Sequence, residues 1–552
     1  MRCLLVALAV LAFAAPAHAA DSSRLTEERA IDLALAHPKI AGWLDRYPPK
    51  PTTAAELDDE QKTWTVRVWS GEAGQIAEAK VDDATARVTE AWTGPQVAWK
   101  MARGASGAFG GRQINSVGVW LAFCVAFLVG LGDFRRPLSI RNLDLLALLS
   151  FGISLHFFND GDIFTSVPLA YPPLVYLFAR TTWIGLRGRG QPALRPLLPV
   201  WAIAAAAVFL AGFRVGLNVE DGNVIDVGFA GVIGAHRIVN GEAPYGHMPT
   251  QHGTKPCGEA DAEGEIRERI QTNGRCEASN DRGDTYGPVS YLAYVPGYLA
   301  LGWTGKWDDL PAAHMTSVLF DLACLIGLAL VGYRFGGVTL ASLLAFAWVA
   351  YPFTQYVSSS NTNDSIAPAF LIWGFWLVSS PWARGAAVAL SGWTKFASLL
   401  AAPLWMSYPE RRRRSLAFVG GFAAATIAAF LVLLLEPSLW EAVRTFADRT
   451  IGFQLDRRSP FSLWEWRQYH ARGIPDLHLV QDVLQVLVVA FAGALYFVPR
   501  RKTPLQLAAL TAAVLIAFEL VLTHWFYLYI PWFFPFVAIA LLLPTRERAA
   551  AA

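Results

Sequence analysis

Val219-Glu220-Asp221-Gly222-Asn223-Val224-Ile225-Asp226-Val227-Gly228-Phe229 is the stretch on which the reading of this chain turns. An apolar run closes just before it, near Leu217. With it opens the longest polar interval in the hydrophobic part of the chain, 218–311. Charge resists leaving water, so a carboxylate where a span leaves a bilayer is costly and marks a place to look for chemistry. Asp226 is the leading candidate. Asp221, followed by Gly222-Asn223, reads as a turn residue and stands in reserve.

The rest of the chain gives that stretch its setting. Of 552 residues 54% are hydrophobic and only 16% charged, against about 25% charged in an ordinary soluble protein. Mean hydropathy is +0.34. The excess of Trp and Phe suits rings placed at a membrane interface. A formal net charge of +2 is too small to argue for a nucleic-acid partner. These properties predict a mainly α, polytopic transmembrane helical bundle.

Residues 1–20 read as a secretory signal peptide, with Arg2, a short apolar run and Ala17-His18-Ala19-Ala20. Residues 21–110 are soluble in character and predict a small α+β domain. Thr26 caps a helix that carries Glu27 and Glu28 in its first turn and extends its apolar side to Trp43. Alternation at Trp64, Val66 and Val68, then at 75–81 and 87–92, predicts three strands, the last two flanking a turn at Asp82-Asp83-Ala84-Thr85. Helix followed by antiparallel sheet, with that turn, resembles the PepSY-like domains of exported proteins, which implies a binding or regulatory module.

A span needs about 20 apolar residues. Candidates fall at 114–132, 143–158, 164–186, 195–217, 312–333, 338–357, 366–381, 416–436, 479–498, 504–523 and 530–544, with a short out-and-back pair at 384–408. That makes about thirteen crossings. Arg135, Arg136, Arg187, Arg334, Arg384, Arg411 to Arg414, Arg500, Arg501, Lys502 and Arg546 share one side if the N-terminal domain is outside. The expected setting is therefore the plasma membrane, multi-pass, with the N-terminal domain and loop 218–311 extracytoplasmic and the C-terminus cytoplasmic.

In loop 218–311 two juxtamembrane helices are expected, one after Asp226 and one from Tyr286 to about Trp303. A span, an Asp just outside it, two such helices and then a hydrophobic bundle resemble the GT-C glycosyltransferase superfamily. Within it, Asp226-Val227-Gly228-Phe229, Gly241-Glu242-Ala243-Pro244-Tyr245 and Tyr286-Gly287-Pro288-Val289-Ser290-Tyr291 resemble the segments of bacterial polyprenol-phosphate-mannose-dependent mannosyltransferases. The resemblance covers 195–545, a GT-C-like catalytic core; 114–190 are additional N-terminal transmembrane helices. No Tyr follows closely on Asp226, where Phe229 and Ala230 stand, and the insert with Cys257 and Cys276 departs from the pattern.

The resemblance implies inverting transfer of a hexose, mannose by analogy, from a polyprenyl-phosphate donor to an extracytoplasmic glycolipid or glycan acceptor, with membrane lipid around it. Asp226 is the expected general base. Lys395, which interrupts an apolar stretch in Ser391-Gly392-Trp393-Thr394-Lys395, is the leading phosphate ligand, with a snorkelling Lys as the bland alternative. His524 in Thr523-His524-Trp525-Phe526-Tyr527 is a second, and Arg237 a third whose plain reading is a solvated helix face. Asn363 and Asp364, beside Asn361, are candidates for sugar hydroxyls, and Tyr245 and Tyr286 enter the substrate site with their motifs. Trp464, Trp466, Tyr469 and His470 are stacking candidates. Asp160 and Asp162 are rival acids in the additional spans.

Cys257 and Cys276, in a loop placed outside, are expected to form a disulfide; two free thiols are the alternative. No zinc spacing, phosphate-binding loop or dinucleotide fingerprint occurs, so neither a metal nor a cofactor is expected, the lipid-linked sugar being a substrate. Two other classes fit part of the pattern: a transporter or lipid flippase, for which Asp321 inside a span is the argument, and a non-catalytic sensor or assembly protein built on the exported domain.

Overall fold

The computed structural model describes residues 24–59, 61–104, 109–248, 269–270, 276–277, 283–305, 310–410 and 415–544. The expected signal peptide and Cys257 lie outside these residues, as does the side chain of Cys276, and with them the expected disulfide. Among the described residues the protein is mainly helical, with a small four-stranded antiparallel sheet and a two-residue antiparallel pairing of 269–270 with 276–277. It divides into two compact units. One comprises residues up to 100 together with 467–475, the other the remainder.

In the first unit Thr26 caps helix Glu27–Ala36, its hydroxyl accepting from the Arg29 amide at 3.2 Å. The helix stops at His37, and Pro38–Leu44 forms a second one. The single helix expected through Trp43 is broken because Pro38 has no N–H to donate and its ring clashes with the preceding turn. Strands β1 (Thr52–Asp58), β2 (Thr63–Trp69), β3 (Gln75–Asp82) and β4 (Arg87–Thr93) pair in sequence order. The last three coincide with the expected strands. Strand β1 was not foreseen: Thr52-Thr53-Ala54-Ala55-Glu56-Leu57-Asp58 buries none of its residues, so no apolar alternation marks it, and its order comes from pairing with β2.

The inward face of β2 and β3 meets the helices through Ala30, Ala34, Ile40, Val66, Val68 and Val81, all fully buried. Segment 467–475 joins this unit. The Tyr47 hydroxyl donates to the Tyr469 carbonyl at 2.9 Å, the Arg472 amide donates to the Arg46 carbonyl at 2.9 Å, and Tyr469 packs edge-on to Trp43. Tyr469 and His470 thus belong to this unit.

Asp83 ties the unit's beginning to its sheet. Its carboxylate, 5% exposed, accepts from the Arg24 amide at 2.7 Å, the Leu25 amide at 2.9 Å and the Trp64 indole at 3.0 Å. Leaving buried donors without an acceptor costs about 1–3 kcal/mol each. Asp83→Ala in the full chain is expected to raise amide exchange of residues 24–36 and around Trp64, with exchange in the second unit unchanged. Unaltered exchange at 24–36 would show that this carboxylate does not hold the unit together.

The second unit is a helical bundle. Among the described residues four helices are long and apolar enough to cross a membrane: Ile140–Asn159, Val200–Asp221, Pro311–Ala350 and Ser415–Leu435. Shorter apolar helices include Val117–Leu131, His478–Ala494, Pro504–Leu520 and Tyr527–Leu542. Pro504–Leu520 is buried almost throughout, whereas Val200–Asp221 and His478–Ala494 present exposed apolar residues such as Trp201, Phe209, Val486 and Val489, a pattern suited to lipid rather than water.

Pro311–Ala350 is two helices in one assignment. Gly337 has φ 72°, and a Cβ on Gly332 would meet the backbone of Ala341 at 2.5 Å. Nine residues of continuous helix would hold those positions about 13.5 Å apart, so the chain reverses at Gly337. The positive φ is open to glycine at no steric cost. This is where the sequence reading places the boundary between 312–333 and 338–357.

Asp321, the ionisable residue inside the first of these helices, is fully partnered. Two guanidinium nitrogens of Arg214 donate to its two oxygens, and the Trp348 indole donates at 2.9 Å. Arg214 completes its shell with the Thr354 hydroxyl at 2.9 Å and the carbonyls of Trp348 and Val349. Arg384 is equally enclosed, donating to the carbonyls of Val378, Trp405 and Tyr408.

Candidate active site

Asp226 opens the helix Asp226–Val239, and its Oδ1 accepts from the Val227 amide at 2.8 Å. Two features fix where this helix starts. The backbone before it adds to the segment after Pro352–Ser359: the Asn223 amide donates to the Ser359 carbonyl at 2.8 Å and the Ile225 amide to that of Ser360. Asn361, fully buried with φ 53°, donates to the Asn223 carbonyl at 2.8 Å and accepts from Asn218 at 2.8 Å. Asn is among the few non-glycine residues that adopt this backbone readily.

The helix itself presents Gly228, Gly231 and Gly234 along one face. A Cβ there would collide with the Asn361 carbonyl, the Tyr294 ring and the Tyr291 ring respectively. Small residues at this spacing let helix Pro288–Leu292 approach closely, so the Asp226 and Tyr286 segments come to lie together.

Tyr286 is held from several directions. Its carbonyl accepts from the Tyr245 hydroxyl at 3.0 Å. Asp284, two residues earlier and fully buried, receives the Gly246 amide at 2.6 Å and a bidentate grip from Arg449. The Val289 amide and Ser290 hydroxyl donate to the carbonyls of Trp393 and Thr394. Those bonds set Lys395 beside Tyr286, with the ammonium 4.1 Å from the ring centroid.

Lys395 is 6% exposed. Its ammonium pairs with Asp364 at 3.2 Å, and Asp364 also accepts from the Trp532 indole at 3.0 Å and the Thr362 hydroxyl at 2.7 Å. Four segments distant in sequence therefore meet: 284–291, 361–365, 391–395 and 524–532.

A cavity of about 450 Å³ opens at this junction. Tyr286, Lys395, Arg457 and His524 cluster in its lining; the rest is mostly apolar, with Leu399, Leu400, Val488, Val489 and Phe518 beside Gln454, Gln485 and Thr523. Asp226 does not line it. The carboxylate lies close enough that its charge acts on Tyr286: burial first, and Asp226 second, push that phenol well above its usual range and keep it protonated.

His524 packs edge-on to Phe461, and its Nδ1 lies 2.8 Å from the Ser459 hydroxyl. Burial, then the charges of Arg457 and Lys395, hold its pKa well below the usual value, so the imidazole is neutral. A histidine kept neutral in the fold lowers stability once pH drops below about 6.5, because only the unfolded chain then takes up the proton. The thermal midpoint of wild type is accordingly expected to fall between pH 6.5 and 5 more steeply than that of His524→Gln. Parallel pH profiles would contradict this.

The other sequence candidates are placed as follows. Asp364 and Asn363 are buried and do not line the cavity. Asp364 serves Lys395 and Trp532, and the Asn363 amide donates to Ser290 at 3.0 Å, so both shape the wall rather than face a sugar. Tyr245 is buried behind Tyr286. Arg237, three turns beyond Asp226, pairs with Glu242 at 2.6 Å. Asp221 accepts from the Gln113 amide at 2.6 Å, and Asp162 caps Ile163–Arg187. Trp464 and Trp466 are buried, their indoles donating to the carbonyls of Leu520 and Pro460, and neither lines the cavity.

Arg457, Asp284 and Arg449 were missed by the sequence reading. Arg457-Arg458 and Arg449 look like ordinary charges of a polar loop, and only the tertiary fold brings them to the cavity and to Tyr286. Among the described residues no group of three or more His, Cys, Asp or Glu side chains is arranged to hold a metal ion. Comparison with family models, with curated proteins and with solved structures finds no match.

Proposed function

We propose that this protein is a polytopic membrane glycosyltransferase of GT-C type that moves a hexose, mannose by analogy, from a polyprenyl-phosphate carrier to an extracytoplasmic acceptor. The observation that carries the reading is one cavity with a cationic, hydrogen-bonding end and an apolar wall, set beside a carboxylate that acts on its rim through Tyr286. A lipid phosphate needs both ends: donors for its oxygens and a dry surface for its chain.

In the proposed reaction the acceptor hydroxyl attacks the anomeric carbon from the face opposite the phosphate. Its proton passes to Asp226 as the new C–O bond forms. The bond from the anomeric carbon to the phosphate oxygen breaks, its electron pair leaving with the polyprenyl phosphate, whose growing charge is stabilised by Arg457 and His524 and, to a lesser extent, by Lys395, which Asp364 already engages. Configuration inverts. About thirteen crossings, an outer location for the site and a PepSY-like role for the N-terminal unit complete the reading, supported by the charge pattern between spans and by the α+β fold of that unit.

The test is transfer by the purified protein from labelled polyprenyl-phosphate sugars to extracted envelope glycolipids or glycans. Transfer from at least one such donor is expected; none from any donor would overturn the class. A transporter reading rests on Asp321, but that carboxylate is saturated by Arg214 and Trp348, which favours a structural role.

A further inference from the structure

We propose that Arg457 is the principal anion receptor of the cavity, for a phosphate ester borne on a long apolar chain, and that Lys395 serves mainly to lock Asp364 and the aromatic wall. The inference deepens the donor-site reading above and rests on it.

The two cations differ in what already surrounds them. Lys395 has a carboxylate at 3.2 Å and lies over three rings, those of Tyr286, Trp532 and Tyr529, with centroids at 4.1, 5.5 and 5.7 Å. An incoming anion would have to share it with Asp364. Arg457 has no ion-pair partner among the described residues, and its Nε is buried without a hydrogen-bond partner. The Phe453 ring lies 5.6 Å from its guanidinium carbon. Its charge is felt at Tyr286, His524 and Tyr529, across the polar end of the cavity. A buried donor left unmade is unfavourable, and a guanidinium presents a planar fork that matches two phosphate oxygens where an ammonium acts as a point charge.

The approach to Arg457 is also built. The chain reaches it through Leu439–Ala447, a π-helical turn at Asp448–Gly452 and Phe453–Asp456. Arg449 within the π turn is pinned to Asp284, two residues from Tyr286. Single π turns recur at functional sites. The wall continuing from the polar end through Leu399, Leu400, Val488 and Val489 selects a chain-bearing phosphate over a free one.

The experiment measures binding to the purified full chain in nanodiscs of three probes: a polyprenyl monophosphate, the same polyprenol without phosphate, and inorganic phosphate. The polyprenyl phosphate is expected to bind more tightly than either. Arg457→Gln is expected to weaken it by about tenfold or more, as for loss of a charge-assisted hydrogen bond, with polyprenol binding and thermal midpoint unchanged. Arg457→Lys should recover part of the loss, and Lys395→Gln should weaken binding less than Arg457→Gln. Wild-type affinity in Arg457→Gln, or a larger loss in Lys395→Gln, would overturn the assignment. Inorganic phosphate binding as tightly as the lipid would overturn the chain-bearing ligand. Arg457-dependent lipid binding without sugar transfer to any acceptor would defeat the transferase reading and leave the receptor standing.

Discussion

Asp226→Asn is expected to lower sugar transfer by about 10²–10⁴-fold, the contribution of a positioned general base. The substitution keeps the size of the side chain and leaves an oxygen to accept from the Val227 amide, as Asp226 does at 2.8 Å. The helix start should survive, because it is set by Asn223, Ile225 and Asn361 rather than by the carboxylate. Binding of a polyprenyl phosphate should therefore change little while turnover collapses. Full turnover in Asp226→Asn would remove this residue from the chemistry. Equal losses of binding and turnover would assign it to holding the site rather than to proton transfer.

The second large effect concerns the fold. Arg214→Ala strands Asp321 in the bundle with the Trp348 indole as its remaining hydrogen-bond donor among the described residues, and breaking a buried pair in this way costs about 3–5 kcal/mol. A sharp drop in extractable, monodisperse protein and in thermal midpoint is expected. Replacing both partners together, Arg214→Met with Asp321→Leu, is expected to restore most of the stability, because apolar groups of similar volume often substitute for a buried pair without loss. The double variant also separates functions. With a purely structural pair it retains sugar transfer, whereas a pair that couples ion movement would leave a folded but inactive protein. Wild-type stability in Arg214→Ala would contradict the structural assignment.

The extent to which the sequence foretold these features depends on the range of the interactions behind them. The helices at 140–159, 163–187, 415–435 and 504–520 fall where apolar runs were long, because composition over twenty residues is itself the signal. The reversal at Gly337 was readable since a glycine pair, Gly336-Gly337, separates two such runs. Strand β1 was not, because Thr, Ala and Glu on an edge strand carry no period.

At the site, Asp226, Tyr286, Lys395 and His524 could be singled out one by one as polar groups in or beside apolar stretches. What they touch could not. The partner of Lys395 is Asp364, 31 positions away (395 − 364), a residue that the sequence presents as part of a polar loop. The role of Asn361 depends on its backbone conformation, which a single Asn does not announce. Arg457 was indistinguishable from its neighbour Arg458 until folding placed one of them at the cavity.

The relation between the carboxylate and the cavity is most directly measured by cryo-electron microscopy of the full chain with a non-transferable polyprenyl-phosphate sugar analogue. The phosphate is expected between Arg457 and His524, the chain along Leu399, Val488 and Val489, and the anomeric carbon on the side of Tyr286 that faces Asp226. Lipid phosphate density bound elsewhere on the bundle, or a sugar directed away from Asp226, would contradict the assignment of this cavity as the place of transfer.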